Sequence, residues 1–293
     1  MKAAGRWAWR ALFAATLATG AWQQAQAQAT GGKPKPMPLP GVFKGELPPG
    51  MTGTPASPRI PTTFDELFAE RDARAVDALN YLRCFRSTVR AIQSGALGAV
   101  PRSWTLVCVE QKGEWRGVLA QFVDSEPGVT VQRQFAMRGS GVVTRDAIDT
   151  AMVAGVAHAL LRGLAAPLPG KGQHEYLPVP LRQPTFIELW YLPMPSDPSR
   201  AVVGGDSLIQ LSVDGTRELG HSRSTPPIRT FSVTPGASYV LTSREERIPL
   251  LSELMVAHMA LSVAPDVRVR TTQFMSIFSR TSTAVKHVRR AGS

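Results

Sequence analysis

The chain has 293 residues, 43% of them hydrophobic and 19% charged, with a formal net charge of +11. That composition excludes a low-complexity or charge-driven disordered protein and allows one large domain or two small ones. The positive balance attracts anions, but no dense basic run with interleaved aromatics marks a nucleic-acid binder.

The first 29 residues read as a secretory signal peptide. Lys2, Arg6 and Arg10 form a charged start, Ala11 to Trp22 a short apolar stretch, and Ala25-Gln26-Ala27 and Ala27-Gln28-Ala29 two small-residue cleavage sites. Subtracting those three cations from +11 leaves +8 for the rest of the chain. The apolar stretch is short for a bilayer span, and no later stretch has the length of one. The expected location is therefore periplasmic or extracellular. Residues 30–62 hold nine prolines and almost no apolar period, so they read as a disordered linker rather than a packed element.

The folded part begins at Thr63, where Thr63-Phe64-Asp65-Glu66 is a capping-box pattern. Phe64, Leu67, Phe68, Val76, Leu79, Leu82, Phe85, Val89 and Ile92 recur at helical spacing up to Gly95. Arg71, Arg74, Arg83, Arg86 and Arg90 lie along the same helix and read as a solvated face. Trp104 to Glu110 and Trp115 to Val123 flank Gln111-Lys112-Gly113-Glu114 as a hairpin, and Val129 to Ala136 follows as a third strand. Thr144 is positioned to cap a second helix, whose apolar side is Ile148, Met152, Val156, Ala159, Leu160 and Leu164.

Residues 167–184 mix prolines, glycines and polar groups and read as an irregular, candidate functional loop. A meander follows: Phe186 to Leu192, Ala201 to Val213, Thr216 to Arg223 and Ile228 to Val233. Val213-Asp214-Gly215-Thr216 is its clearest turn, because Asp and Gly tolerate the positive φ of a type I′ hairpin. Residues 252–264 fit a third helix better than a strand. Val267 to Arg270 alternates strictly and continues through Phe278 as strand. Residues 283–293 read as a basic tail.

The expected fold is α+β: a mostly antiparallel sheet, hairpin plus meander, with two principal helices packed on it and a third near the C-terminus as an option. A single domain spans 63–282, with a subdivision near residue 170 as the alternative. Cys84 and Cys108 are an even pair in an exported chain and are expected to form a disulfide between the first helix and the first strand.

No catalytic signature stands in the chain. The histidines at 158, 174, 221, 258 and 287 lack the short His–His spacings of zinc sites. Gly139-Ser140-Gly141 lacks the outer glycine spacing of a serine elbow, and Gly170-Lys171-Gly172 is no phosphate loop. No cofactor and no metal is indicated. The expected activity is non-enzymatic: an interaction or envelope-associated protein whose partner is an anionic envelope component or another protein. The alternative is a hydrolase whose site converges from the 167–184 loop and the His221/His258 region, with His174, Glu175, His221 and His258 as its candidates.

Overall fold

A computed structural model describes residues 63–95, 100–101, 104–123, 128–136, 148–165, 175–194, 200–223, 228–232, 238–243 and 248–289. The signal segment, the linker at 30–62, Thr144 and His174 lie outside the described residues.

Helix α1 (Phe64–Gln93) starts at the expected capping box: Thr63 Oγ1 accepts from the Glu66 N–H at 3.2 Å, and Glu66 Oε2 accepts from the Thr63 N–H at 3.3 Å. Gly95 takes φ 74° just beyond the helix end. The buried stripe holds Phe68, Leu79, Leu82 and Val89 as expected, and adds Ala75, Ala78, Tyr81 and Cys84. Val76 is exposed instead. Nor are the arginines one solvated face. Arg74 turns inward to Glu188, with its Nε 3.1 Å from Oε2, and the Arg71 guanidinium lies 5.2 Å from the Trp190 ring centre.

Strands β1 (Trp104–Gln111), β2 (Glu114–Val123) and β3 (Gly128–Ala136) form one antiparallel sheet. Lys112 and Gly113 make the two-residue turn, at φ 56° and 78°. The signs match a type I′ hairpin, whose twist suits the flanking strands. Cys84 on α1 and Cys108 on β1 form a disulfide with their Cα atoms 6.2 Å apart. Gly117 makes the approach possible. It pairs with Cys108 across the hairpin, and a Cβ there would sit 2.2 Å from Thr88 Oγ1, one helical turn after Cys84.

Helix α2 (Thr150–Ala165) has Asp149 beside its first turn, and the cap expected at Thr144 falls outside the described residues. The Met152 N–H donates to Asp149 Oδ1 at 3.0 Å.

The expected loop at 167–184 is corrected over its second half. Glu175–Arg182 is strand β4, paired with β5 (Phe186–Met194). Pro178 and Pro180 are compatible because β4 is an edge strand and has a ladder partner on one side only. Its other signal is hidden by burial on both faces. Leu177, Val179 and Leu181 face the α1 side with Trp190, whereas Ile187, Leu189 and Tyr191 of β5 face α2.

The simple meander is also corrected. Ala201 to Val213 is two strands, β6 (Arg200–Val203) and β7 (Ser207–Ser212), broken where Gly204 and Gly205 take φ 89° and 73°. The break sends β6 out of the sheet to pair with β9 (Arg229–Ser232), while β7 returns between β5 and β8 (Glu218–Arg223). The hairpin at Asp214-Gly215 exists, but only Gly215 has positive φ, 74°, so the turn is not type I′.

Strand β10 (Tyr239–Thr242) runs parallel to β11 (Asp266–Arg270), joined by helix α3 (Leu251–Ala260). The helix preferred at 252–264 is thus observed. It is buried on nearly every side, which explains its blurred period. Two more corrections follow. The run after Arg270 is not one strand: the Thr271 N–H donates to Phe274 O at 2.8 Å and turns the chain into antiparallel β12 (Phe274–Ser279). The expected tail from 283 is mostly strand β13 (Ser282–Arg289), paired with β12.

Three helices and mostly antiparallel strands make this an α+β fold. The largest apolar cluster joins Phe68, Leu82 and Cys108 to Trp190, Leu254 and Phe278, residues from both sides of position 170.

Candidate functional site

His221 and His258 each meet a carboxylate, His221 within its own strand and His258 on a neighbouring helix. His221 on β8 is exposed, with Nδ1 3.0 Å from Glu218 Oε1 three residues earlier. His258 on α3 places Nε2 2.7 Å from Asp72 Oδ1 on α1, and its ring meets Phe278 edge-on. Glu175 opens β4 beside Met194, and His174 precedes the described strand. No hydrogen bond or ion pair among the described residues links His221 to His258. Each keeps a carboxylate of its own. Of the two histidines not proposed as candidates, His158 Nδ1 is 3.1 Å from the Asp214 carbonyl oxygen, and His287 Nδ1 is 3.0 Å from Ser276 Oγ. That last pair resembles a serine–base contact, but Ser276 is completely buried and directly opposite His287 in the ladder. No substrate carbon can reach it, so cross-strand bonding accounts for the pair.

Two buried carboxylates sit at the start of α3. Glu253 is wholly buried; its Oε2 accepts from the Leu250 N–H at 2.9 Å, and its Oε1 lies 2.7 Å from Arg229 Nη2. Asp206 Oδ2 accepts from the Ser252 N–H at 2.8 Å, and Ser252 Oγ accepts from the Gly204 N–H at 3.0 Å. Both carboxyls thus satisfy first-turn N–H groups that Leu250, at the cap position, cannot. Burial raises both above the ordinary carboxylate range, against the opposing hydrogen bonds and, at Glu253, the Arg229 charge. Their role is to seat α3. No group of three or more metal-ligating side chains is found among the described residues.

A different feature stands on the outside. The sheet ordered β10-β11-β12-β13 buries one face: Val267, Val269, Ser276 and Phe278 point inward, and Phe64 of α1 stacks on Phe274 at 3.9 Å between ring centres. Alternation sends the intervening residues outward. On that outer face Arg268 is directly opposite Ile277 and Arg270 opposite Met275; Ile277 is in turn opposite Lys286, and Met275 opposite Val288. Each row therefore runs cation, aliphatic, then cation or aliphatic. Val240 continues the Arg268 row on β10 and is 60% exposed, the most open of the large apolar side chains described. Met275, Ile277, Val240 and Val288 belong to none of the three apolar clusters. Arg268 shares its charge with Asp266 at 3.2 Å; Arg270 and Lys286 have no ionic partner among the described residues.

Sequence reasoning saw the Val267-Arg268-Val269-Arg270 alternation but not what lay beside it. The signal was available in the second alternation, Val285 and His287 against Lys286 and Val288, which reading 283–293 as a tail hid. Comparison with known proteins finds no matching family model, no matching curated protein and no matching solved structure.

Proposed function

We propose that this is an exported, non-enzymatic binding protein that docks on an anionic component of the cell envelope. The observation that carries the reading is the outer face of the C-terminal sheet, where Arg268, Arg270 and Lys286 stand among aliphatic side chains outside every apolar cluster. Asp266 offsets Arg268 on this face, but three cations against one acid leave it net positive, and a net positive face concentrates anions. The Cys84–Cys108 disulfide supports an oxidising compartment, and no helix among the described residues is long and apolar enough to cross a membrane. The pattern of residues 1–29 supports export.

The test is fractionation of the producing cell. The protein is expected in the envelope fraction, released by high salt as screening weakens the contact. The triple variant Arg268→Gln, Arg270→Gln, Lys286→Gln is expected in the soluble exported fraction at unchanged total level. Equal envelope retention of variant and wild type overturns the reading.

A further inference from the structure

Resting on that reading, we propose that the anionic component is a lipid bilayer containing anionic phospholipid, and that the β10–β13 face lies flat on it. A soluble polyanion accounts for the cations alone. It gives no reason for Val240 and Val288 to stand 60% and 38% exposed beside them, or for Met275 and Ile277 to stand within the rows next to the cations. Sites that grip single-stranded nucleic acid stack bases on aromatic rings, and the outward positions of β11, β12 and β13 hold none. A bilayer interface uses both kinds of side chain at once. Phosphate oxygens meet Arg268, Arg270 and Lys286, while the short aliphatic chains enter the boundary between headgroups and acyl tails. Neither contribution suffices for stable docking by itself, and the interleaving places them in one plane.

The geometry favours a surface contact over insertion. Successive outward residues of a strand stand about 7 Å apart, and β11 and β13, separated by one strand, about 10 Å apart. The three cations thus spread over a flat patch instead of lining a cleft. The sheet's opposite face is already occupied by α1 and α3.

The experiment uses the protein purified from the exported fraction in the N-terminal form the cell makes. It is sedimented with vesicles of phosphatidylcholine alone and with vesicles that also carry phosphatidylglycerol. Wild type is expected to sediment with the second kind only. Each cation near an anionic bilayer is worth about fivefold in partitioning, so the triple glutamine variant should lose about 100-fold. A second variant, Val240→Gln with Val288→Gln, separates lipid from polyanion: it is expected to lose several-fold in vesicle binding while eluting from a heparin column at the wild-type salt concentration. Circular dichroism confirms that both variants fold. Failure of wild type to bind the phosphatidylglycerol vesicles, with envelope retention still dependent on the three cations, overturns this proposal and leaves the binding reading standing, with a polyanion or an acidic protein as partner. Loss of both dependences overturns both.

Discussion

Replacing Gly155 with alanine inverts an ordinary expectation. In the interior of an exposed helix such a change gains about 1 kcal/mol, because alanine surrenders less backbone freedom than glycine. On α2 the new Cβ would stand 2.3 Å from the backbone oxygen of Val213, at the tip of the β7–β8 hairpin. That atom cannot rotate away as a side-chain end can, so helix and hairpin must part by about 1 Å to restore contact. Overpacking of this kind costs about 1–3 kcal/mol. The separation also strains the bonds that tie the two elements, His158 Nδ1 to Asp214 O at 3.1 Å and Arg162 Nη1 to Thr216 O at 2.9 Å. The expected net loss is about 1–2 kcal/mol, a fall in Tm of roughly 2–8 °C for a domain of this size. Thermal unfolding followed by circular dichroism measures it. Gly163→Ala is the comparison, because its Cβ meets Leu189 Cδ2 at 2.9 Å, a side-chain tip that can yield. Gly155→Ala should be the less stable of the two. A Gly155→Ala protein as stable as wild type would refute the close packing of hairpin on helix.

Reducing the Cys84–Cys108 bridge, which closes a separation of 24 residues, should lower the unfolding free energy by about 3 kcal/mol in denaturant titrations; two free thiols in unreduced, denatured protein would dismiss the bridge. Asp206 holds its proton to higher pH in the folded chain than in the unfolded one, because burial raises it. Its contribution is therefore fully present below the ordinary value of 3.8 and lost as pH rises through the raised folded value. Asp206→Asn keeps an acceptor for the Ser252 N–H, so its stability relative to wild type should improve as pH climbs from the ordinary value of 3.8 through the raised folded value; parallel curves would reject the linkage. Export predicts a mature N-terminus after Ala27 or Ala29, and N-terminal sequencing that finds Met1 would count against it.

Local signals were legible where local chemistry decides the structure. The Thr63–Glu66 box starts α1, Lys112-Gly113 turns the first hairpin, and the two cysteines meet. What sequence did not show depends on partners distant in the chain. β4 looked like a loop because Pro178 and Pro180 interrupt its pattern, and only its edge position and burial on two faces make it a strand. Ala201 to Val213 read as one run of the meander, whereas Gly204-Gly205 divides it into two strands that belong to different sheets. The basic face was hardest to read, since Arg268 and Lys286 become neighbours of Ile277 only through strand register. The buried carboxylates were equally silent: nothing near Asp206 in sequence announces the start of a helix 46 residues later.

The packing of Phe64 on Phe274 and of Phe68 on Phe278, with Asp72 on His258 of α3, ties the first helix of the folded part to its C-terminal elements. Such contacts close very long loops, and long loops close late and slowly. Ribosome and translocon both deliver the chain N-terminus first, so α1 emerges with its aromatic end uncovered and waits for β12 and β13. A chain exported as proposed is therefore expected to complete this part of its core only after β12 and β13 have been delivered. The aromatic end of α1 is then covered on the far side, by the same C-terminal sheet that carries the basic face.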